Sequence, residues 1–247
     1  MIAHTRPSTR NMLFAASVLA LGLGLTACTP AASAPESGDK SSASPAASAA
    51  APAGCEQAAT IDSLVVKQVG APTDDGLRAV AAAYQAAGDA LHGGPAAPHE
   101  AAHTAAQLIT QSVDDGAGAA VFEDPAYVQS ATTLGKFVFD ECGYGTVAIT
   151  AKDFQFDGIP DEVPAGMTAV QLTNKGESPH VIEFSRIPDP ATTTTQIMAD
   201  LGAAMKSGLV QMVSGGAFSM PGSAGYTTVD LAPGRYLVTC MIPDSQN

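Results

Sequence analysis

The sequence has little positive charge, and this shortage excludes two classes of partner. Lys and Arg number 11 against 24 Asp and Glu, giving a formal net charge of −13 at pH 7. Nucleic acids and anionic lipid surfaces are bound chiefly by basic side chains. We therefore expect no nucleic-acid partner and no direct docking on anionic lipid. Tryptophan is also absent, which says little about function.

The sequence also lacks the motifs of the common enzyme classes. It has no Gly-rich phosphate loop, no nucleophile elbow and no paired-carboxylate motif, and its 5 His limit acid–base chemistry at neutral pH. These absences favour a protein that is not an enzyme. Its longest apolar run, Met12 to Leu25, has 14 residues, short of the roughly 20 that a membrane-spanning helix needs.

That apolar run belongs to an export signal over residues 1–28. Arg6 and Arg10 precede it, and Leu25-Thr26-Ala27-Cys28 follows. The tetrapeptide resembles the lipobox of bacterial lipoproteins, in which the Cys is acylated and becomes the new N-terminus. It predicts a lipid on Cys28 that anchors the protein to the extracytoplasmic face of the cell membrane. An ordinary signal peptide and an uncleaved anchor are the alternatives.

The rest of the chain predicts a linker and two domains. Residues 29–54 are almost entirely Ala, Ser and Pro, without large apolar side chains, and such a segment favours a flexible, disordered tether. Residues 55–143 have helical periodicity and residues 144–247 have strand periodicity. We therefore predict a small α-helical bundle followed by an antiparallel β-sandwich.

Four cysteines must be assigned in an oxidising compartment. Cys28 takes the lipid. Cys55 and Cys142 bracket the helical segment, and we predict that they form a disulfide. Cys240 is left over, either as a buried thiol or as a metal ligand. A Cys142–Cys240 pair is the alternative.

The helical domain is predicted from apolar residues at helical spacing. The four stripes are Ile61, Leu64, Val65 and Val69; Leu77, Val80, Ala81, Tyr84 and Leu91; Ala102, Ala106, Ile109 and Val113; and Val128, Ala131, Leu134, Phe137 and Val138. Short Gly/Pro turns between them predict four helices in an antiparallel bundle.

Residues His99-Glu100-Ala101-Ala102-His103 match the H-E-x-x-H pattern of zinc peptidases. The match argues only weakly for catalysis, because Pro98 places His99 in the first helical turn and no convincing third ligand follows. A wholly helical segment also lacks the sheet that lines a peptidase cleft. We interpret both His as solvent-facing residues with, at most, weak metal binding.

The C-terminal segment alternates in polarity over several short runs. Predicted strands cover 146–151, 153–156, 168–173, 180–184, 226–231 and 235–240, the last two joined as a hairpin through Ala232-Pro233-Gly234. Residues 193–207 are predicted to form a helix that Gly208 ends. This pattern favours an antiparallel sandwich.

Three motifs give this segment a resemblance to the cupredoxins, in particular to plastocyanin-like domains of bacterial surface lipoproteins. They are residues 172–180 (LTNKGESPH), 231–236 (LAPGRY) and 240–244 (CMIPD). The resemblance implies that His180 is a copper ligand, that Cys240 is the thiolate ligand, and that Asn174 braces the ligand loop. It implies copper as cofactor, with a redox protein as partner.

The sequence departs from the family after Cys240. Members carry a second His and then a Met in a Gly-rich loop, followed by a last strand, whereas this chain continues only to Ser245-Gln246-Asn247. We expect an incomplete sandwich with an unpaired edge. Three explanations compete: a truncated record, a domain that has lost copper, or a partner that supplies the missing ligands.

The leading functional hypothesis is therefore a lipid-anchored protein that binds copper or transfers single electrons outside the cytoplasmic membrane. The alternative is an interaction or scaffold lipoprotein that keeps only the cupredoxin fold. In that case Cys240 is a core thiol and His180 a satisfied polar side chain.

Overall fold

The structure is a computed structural model that describes residues 51–68, 70–153, 155–214 and 216–242. The predicted signal peptide, the lipid site at Cys28 and most of the predicted linker lie outside the described residues. Residues 51–242 belong to one compact unit.

The described part of the helical segment contains four α-helices, as predicted. They are α1 (Cys55–Val65), α2 (Asp74–Ala90), α3 (Ala96–Asp114) and α4 (Pro125–Glu141), with 3-10 turns at Val66–Gln68 and Gly118–Glu123. The Thr73 side chain caps α2, and Asp124 caps α4 just before Pro125. The stripes face inward, and Leu77, Val80, Ile109 and Val138 are almost fully buried.

The predicted disulfide is confirmed. Cys55 is the first residue of α1 and Cys142 follows the last residue of α4, so the bond joins the two ends of the helical segment. Both cysteines are buried in the helical core. Cys240 is the free cysteine of the described residues.

The strands form two sheets. The strands are β1 (Gly145–Lys152), β2 (Gln155–Asp157), β3 (Gly166–Asn174), β4 (His180–Ile187), β5 (Gln211–Met212), β6 (Ala217–Ser219), β7 (Ala224–Leu231) and β8 (Arg235–Thr239). The first sheet has the order β2-β1-β3-β7, and in the second β4 pairs with β5, β6 and β8. Residues of both sheets share one hydrophobic core, including Ile149, Leu172, Ile182 and Val229.

Two predictions about pairing are wrong. The first sheet is mixed, because β1 and β3 pair in parallel. The predicted hairpin does not form, since β7 pairs with β3 and β8 pairs with β4. The short segment 232–234 instead carries the chain from one sheet to the other. Val229 and Val238 then reach the shared core from different sheets.

The single helix predicted over residues 193–207 is also wrong. The structure has two short helices, α5 (Thr194–Ala199) and α6 (Leu201–Lys206), with Asp200 in an extended conformation between them. The Asp200 side chain accepts a hydrogen bond from Ala203 N at 2.9 Å, so it begins a new helix rather than continuing the first. Gly208, with φ of 78°, follows α6 as predicted.

Helix α4 packs against β3 and β7, and helix α1 packs against β7. Asp62 in α1 accepts hydrogen bonds from Thr228 N at 2.6 Å, Thr228 Oγ1 at 3.0 Å and Thr227 Oγ1 at 3.1 Å. The Phe139 and Tyr226 rings meet edge to face at 5.8 Å. The change from helix to strand falls between Glu141 and Gly145, but the two parts share this interface. In the ranges described above, no helix is long and apolar enough to span a membrane.

Candidate functional site

Strands β4 and β8 bring the two predicted ligands together. His180 is the first residue of β4, and Cys240 directly follows β8, its antiparallel partner. Side chains alternate across a strand, so Cys240 shares the inward face of Tyr236 and Val238, and His180 shares that of Ile182 and Phe184. His180 Nδ1 and Cys240 Sγ lie 4.0 Å apart.

The other ring nitrogen of His180 faces a carboxylate that sequence reasoning missed. His180 Nε2 lies 3.3 Å from Asp153 Oδ1. Asp153 also accepts hydrogen bonds from the backbone N–H groups of Glu177 and Ser178, at 3.1–3.2 Å. These two backbone donors, and then His180, hold the pKa of Asp153 below its ordinary value. No motif marks Asp153, because it lies 27 residues from His180.

Asn174 braces the loop before His180, the role predicted for it. Its side chain is fully buried, and its amide donates to Ser178 O at 2.8 Å and Ser219 O at 2.9 Å. Its oxygen accepts from Gly176 N at 2.8 Å. The Asn174 amide, positioned by β3, therefore holds this loop together with the Asp153 carboxylate.

Glycine is required at position 176 because Asp153 and His180 approach so closely. A Cβ there would lie 2.5 Å from Asp153 Oδ1 and 3.0 Å from His180 Nε2. The Lys175-Gly176-Glu177 segment of the first cupredoxin-like motif thus lets the carboxylate reach the imidazole. Phe156 covers another side of the ring, with its centroid 6.4 Å from that of His180.

The polar environment favours one tautomer of His180. A proton on Nε2 is the one that Asp153 accepts, which leaves the Nδ1 lone pair directed toward Cys240 Sγ. His180 is only 8% exposed, so its orientation is set by these neighbours. A neutral imidazole nitrogen facing a thiol is a donor pair for a soft metal ion.

The distance between the two donors fits one shared metal ion. Metal–nitrogen and metal–sulfur bonds of about 2.0–2.1 and 2.3 Å bridge at most about 4.4 Å, and the observed separation is 4.0 Å. The described residues, however, contain no group of three or more His, Cys, Asp or Glu arranged to hold a metal. Met220 and Met241, the nearby soft donors in sequence, are 51% and 41% exposed. The pair therefore provides two donors, and the described residues do not complete a ligand set around them.

Strand β8 forms an edge of the second sheet in the described residues, pairing there with β4 alone. Its residues Tyr236 to Thr239 are partly exposed, although Tyr236 and Val238 contact the core.

The remaining predicted site residues lie elsewhere. His99 and His103 are about 4.7 Å apart, ring centroid to centroid, on α3, in the helical segment. His99 is in the first turn of α3, as expected, although the helix begins at Ala96, before Pro98.

Comparison with known proteins adds no identification. No family model, no curated protein and no solved structure matches this chain.

Proposed function

We propose that the protein is a lipid-anchored, cupredoxin-like protein that binds copper, or transfers single electrons through it, outside the cytoplasmic membrane. The observation that carries the proposal is the 4.0 Å separation of His180 Nδ1 and Cys240 Sγ, two donors 60 residues apart in sequence. A bound copper ion would supply one-electron redox chemistry, and these two side chains would hold it. Cys28 would carry the lipid anchor, and a redox protein would be the partner.

The organisation of the sheets supports a cupredoxin-like β-sandwich. Two sheets share one core, and a mixed sheet containing β1 and β3 faces the sheet that carries β4 and β8. The His180 loop is braced by Asn174, and the thiol follows an adjacent strand. The mixed sheet differs from the antiparallel one predicted from sequence, but the braced loop and the position of the thiol support the roles that the resemblance implies for Asn174 and Cys240.

An imidazole nitrogen and a thiolate sulfur suit copper in the Cu(I) state. Thiolate is a soft ligand that selects Cu(I), and a 4.0 Å separation leaves a wide nitrogen–metal–sulfur angle. The contact of Nε2 with Asp153 leaves Nδ1 as the ring nitrogen that faces Cys240. A further ligand from another molecule would complete a site that also accommodates Cu(II).

The test is a Cu(I) competition titration of the full chain against a chelator of known affinity. We expect Cys240→Ser and His180→Gln each to weaken Cu(I) binding by at least about tenfold, given that even indirect partners of a metal ligand contribute about 10–100-fold. Met241→Leu removes the neighbouring sulfur, which is exposed, and serves as the matched control with unchanged affinity. Equal affinity in wild type and Cys240→Ser would reject the proposal.

One observation favours the scaffold alternative. Both ring nitrogens of His180 already have protein neighbours, Asp153 at 3.3 Å and Cys240 at 4.0 Å. A histidine satisfied in this way needs no metal. In that case Cu(I) would leave the melting temperature of the full chain unchanged, and crosslinking at the cell surface would recover a protein partner.

A further inference from the structure

Three imidazoles lie together at the connection between α2 and α3, far from His180 in sequence. His92 follows the C-cap of α2, His99 lies in the first turn of α3, and His103 lies one turn later. The ring centroids of His99 and His103 are 4.7 Å apart, and those of His92 and His99 are 5.8 Å apart. The sequence motif indicated His99 and His103, while the fold adds His92 from the end of the preceding helix.

His103 is held in place by α2. Its Nδ1 lies 3.2 Å from Gln85 Oε1, and its Nε2 lies 3.7 Å from Asp89 Oδ1. The ring packs over Gly88, where a Cβ would come within 2.7 Å of Nε2. The absence of a side chain at position 88 therefore allows α2 to approach His103 and brings the Asp89 carboxylate beside the cluster.

The spacing of the rings suits a shared divalent ion. Two imidazoles bound to one tetrahedral zinc, with zinc–nitrogen bonds of about 2.0–2.1 Å, have ring centroids about 5 Å apart. The observed separations of 4.7 and 5.8 Å lie on either side of this value. In the described residues no such group is already arranged around one point, so binding requires the exposed His92 side chain to rotate and His103 to exchange a present partner for the ion.

We propose that His92, His99 and His103 form a binding site for a divalent transition-metal ion of the zinc class, with the Asp89 carboxylate as a fourth ligand. Imidazole suits zinc, copper and nickel. Because Asp89 and His92 belong to α2 and its end, and His99 and His103 to α3, the bound ion would tie the two helices together across residues 91–95. The site has a stabilising role, and it is independent of the copper proposal for His180 and Cys240.

The role is not that of a zinc peptidase. Glu100 is exposed on the helix next to His99, and His99 lies in the first turn of α3 rather than in its interior. The third imidazole comes from the preceding helix, not from a segment after the motif. The ligand set accordingly fills the coordination sphere and leaves no position for a catalytic water.

The experiment is a titration of the full chain with Zn(II) alone, followed by NMR of the imidazole nitrogens and carbon-bound protons. We expect the first equivalent to shift the signals of His92, His99 and His103. Shifts confined to His180 would overturn the proposal. This readout uses the wild-type chain and so does not depend on any variant folding.

The Zn(II) affinities of variants provide a second test. We expect His99→Gln and His103→Gln each to weaken Zn(II) binding by at least about tenfold, since losing even a hydrogen-bond partner of a zinc ligand has an effect of this size. Glu100→Gln changes an exposed side chain next to His99 on the same helix, is not one of the proposed ligands, and should retain the wild-type affinity. Wild-type affinity in both His99→Gln and His103→Gln would overturn the proposal, whatever the outcome of the Cu(I) titration.

Discussion

At the scale of the residue, His180 shows how neighbours orient a side chain. Its two ring nitrogens face chemically different groups, the Asp153 carboxylate and the Cys240 thiol. The carboxylate is itself oriented by backbone N–H groups of Glu177 and Ser178. Such indirect partners set the tautomer and orientation of a metal-binding His.

We predict that Asp153→Asn weakens Cu(I) binding by about 10–100-fold, the usual effect of removing a carboxylate that orients a ligand His. The amide does not favour the Nε2 proton as strongly, so Nδ1 becomes a poorer donor. A chelator-competition titration of the full chain measures the change. Glu177→Gln removes a charge from the same loop, on an exposed side chain, and should leave the affinity unchanged. Equal effects of the two substitutions would show that general charge, not Asp153, matters.

At the scale of the element, the contact between α4 and β7 depends on a glycine. A Cβ on Gly135 in α4 would lie 2.7 Å from Tyr226 Cβ in β7. Tyr226 also stacks edge-on with Phe139 and accepts a hydrogen bond from Gln171 at 2.8 Å. The helix therefore has no free space to move closer to the sheet at this point.

Gly135→Ala should destabilise the protein by up to about 2 kcal/mol, because overpacking costs about 1–3 kcal/mol and Ala gains only roughly 1 kcal/mol over Gly in a helix. Denaturant unfolding measures the loss. Gly202→Ala in α6 is the matched control, since its added Cβ would come no closer than 3.5 Å to Asp200. We expect this control to be neutral or stabilising. A stable Gly135→Ala variant would mean that α4 and β7 pack less closely than described.

The disulfide acts on the whole helical segment. It joins residues separated by 87 positions, and in the chain-entropy model a loop of this size contributes about 4–5 kcal/mol. We predict a loss of that order in the Cys55→Ser/Cys142→Ser double variant, measured by denaturant unfolding. Reduced wild-type protein should unfold at the same denaturant concentration as the variant. A loss below about 1 kcal/mol would show that the thin Ala-rich core is sufficient alone.

Local patterns predicted the elements better than their pairing. Helical stripes indicated α1 to α4, and the residues around Cys55 and Cys142 indicated the disulfide, since both depend on spacing along the chain. The prediction of a hairpin through Pro233 was wrong, because a short linker between two strands can either form a hairpin or connect two different sheets. Long-range burial decides between them, and no local signal reports it.

The same limit applies to the site. His180 and Cys240 stood out because each ends a distinctive motif, whereas Asp153 and His92 carry no such mark. Their roles depend on the parallel pairing of β1 with β3 and on the turn between α2 and α3. Only the three-dimensional arrangement brings these side chains to their partners.

At the scale of the whole molecule, a carboxylate joins the helical layer to the sheets. Asp62 in α1 accepts three hydrogen bonds from Thr227 and Thr228 in β7, and Thr228 Oγ1 also donates to Ala59 O at 2.7 Å. Burial raises the pKa of Asp62 above its ordinary value of 3.8, although the hydrogen bonds from Thr228 and Thr227 act in the opposite direction. The interface therefore includes a group that is stabilised in its protonated form.

The raised pKa of Asp62 predicts how the stability of the protein changes with pH. Because the folded-state pKa is raised, the contribution of Asp62 to stability is fully present below about pH 4 and decreases as the pH rises through the folded-state pKa. Asp62→Asn does not titrate. The melting temperature of the wild type, relative to that of Asp62→Asn, should therefore fall as the pH rises from about 3 to 7.

The exposed Asp75 in α2 provides the control for this comparison. Asp75→Asn leaves Asp62 in place and should keep the wild-type pH trend relative to Asp62→Asn. A rise of wild-type stability relative to Asp62→Asn with increasing pH would contradict the account. It would mean that the Thr227 and Thr228 hydrogen bonds, not burial, dominate at this interface.

The most direct test of the central claim is X-ray absorption of the full chain loaded with one equivalent of Cu(I). The account predicts one sulfur and at least one imidazole nitrogen bound to the copper, at about 2.3 and 2.0–2.1 Å by analogy with zinc bonds. Cys240→Ser should lose the sulfur, and His180→Gln should lose the nitrogen contributed by that ring. A copper environment without sulfur, or one unchanged in Cys240→Ser, would contradict the account.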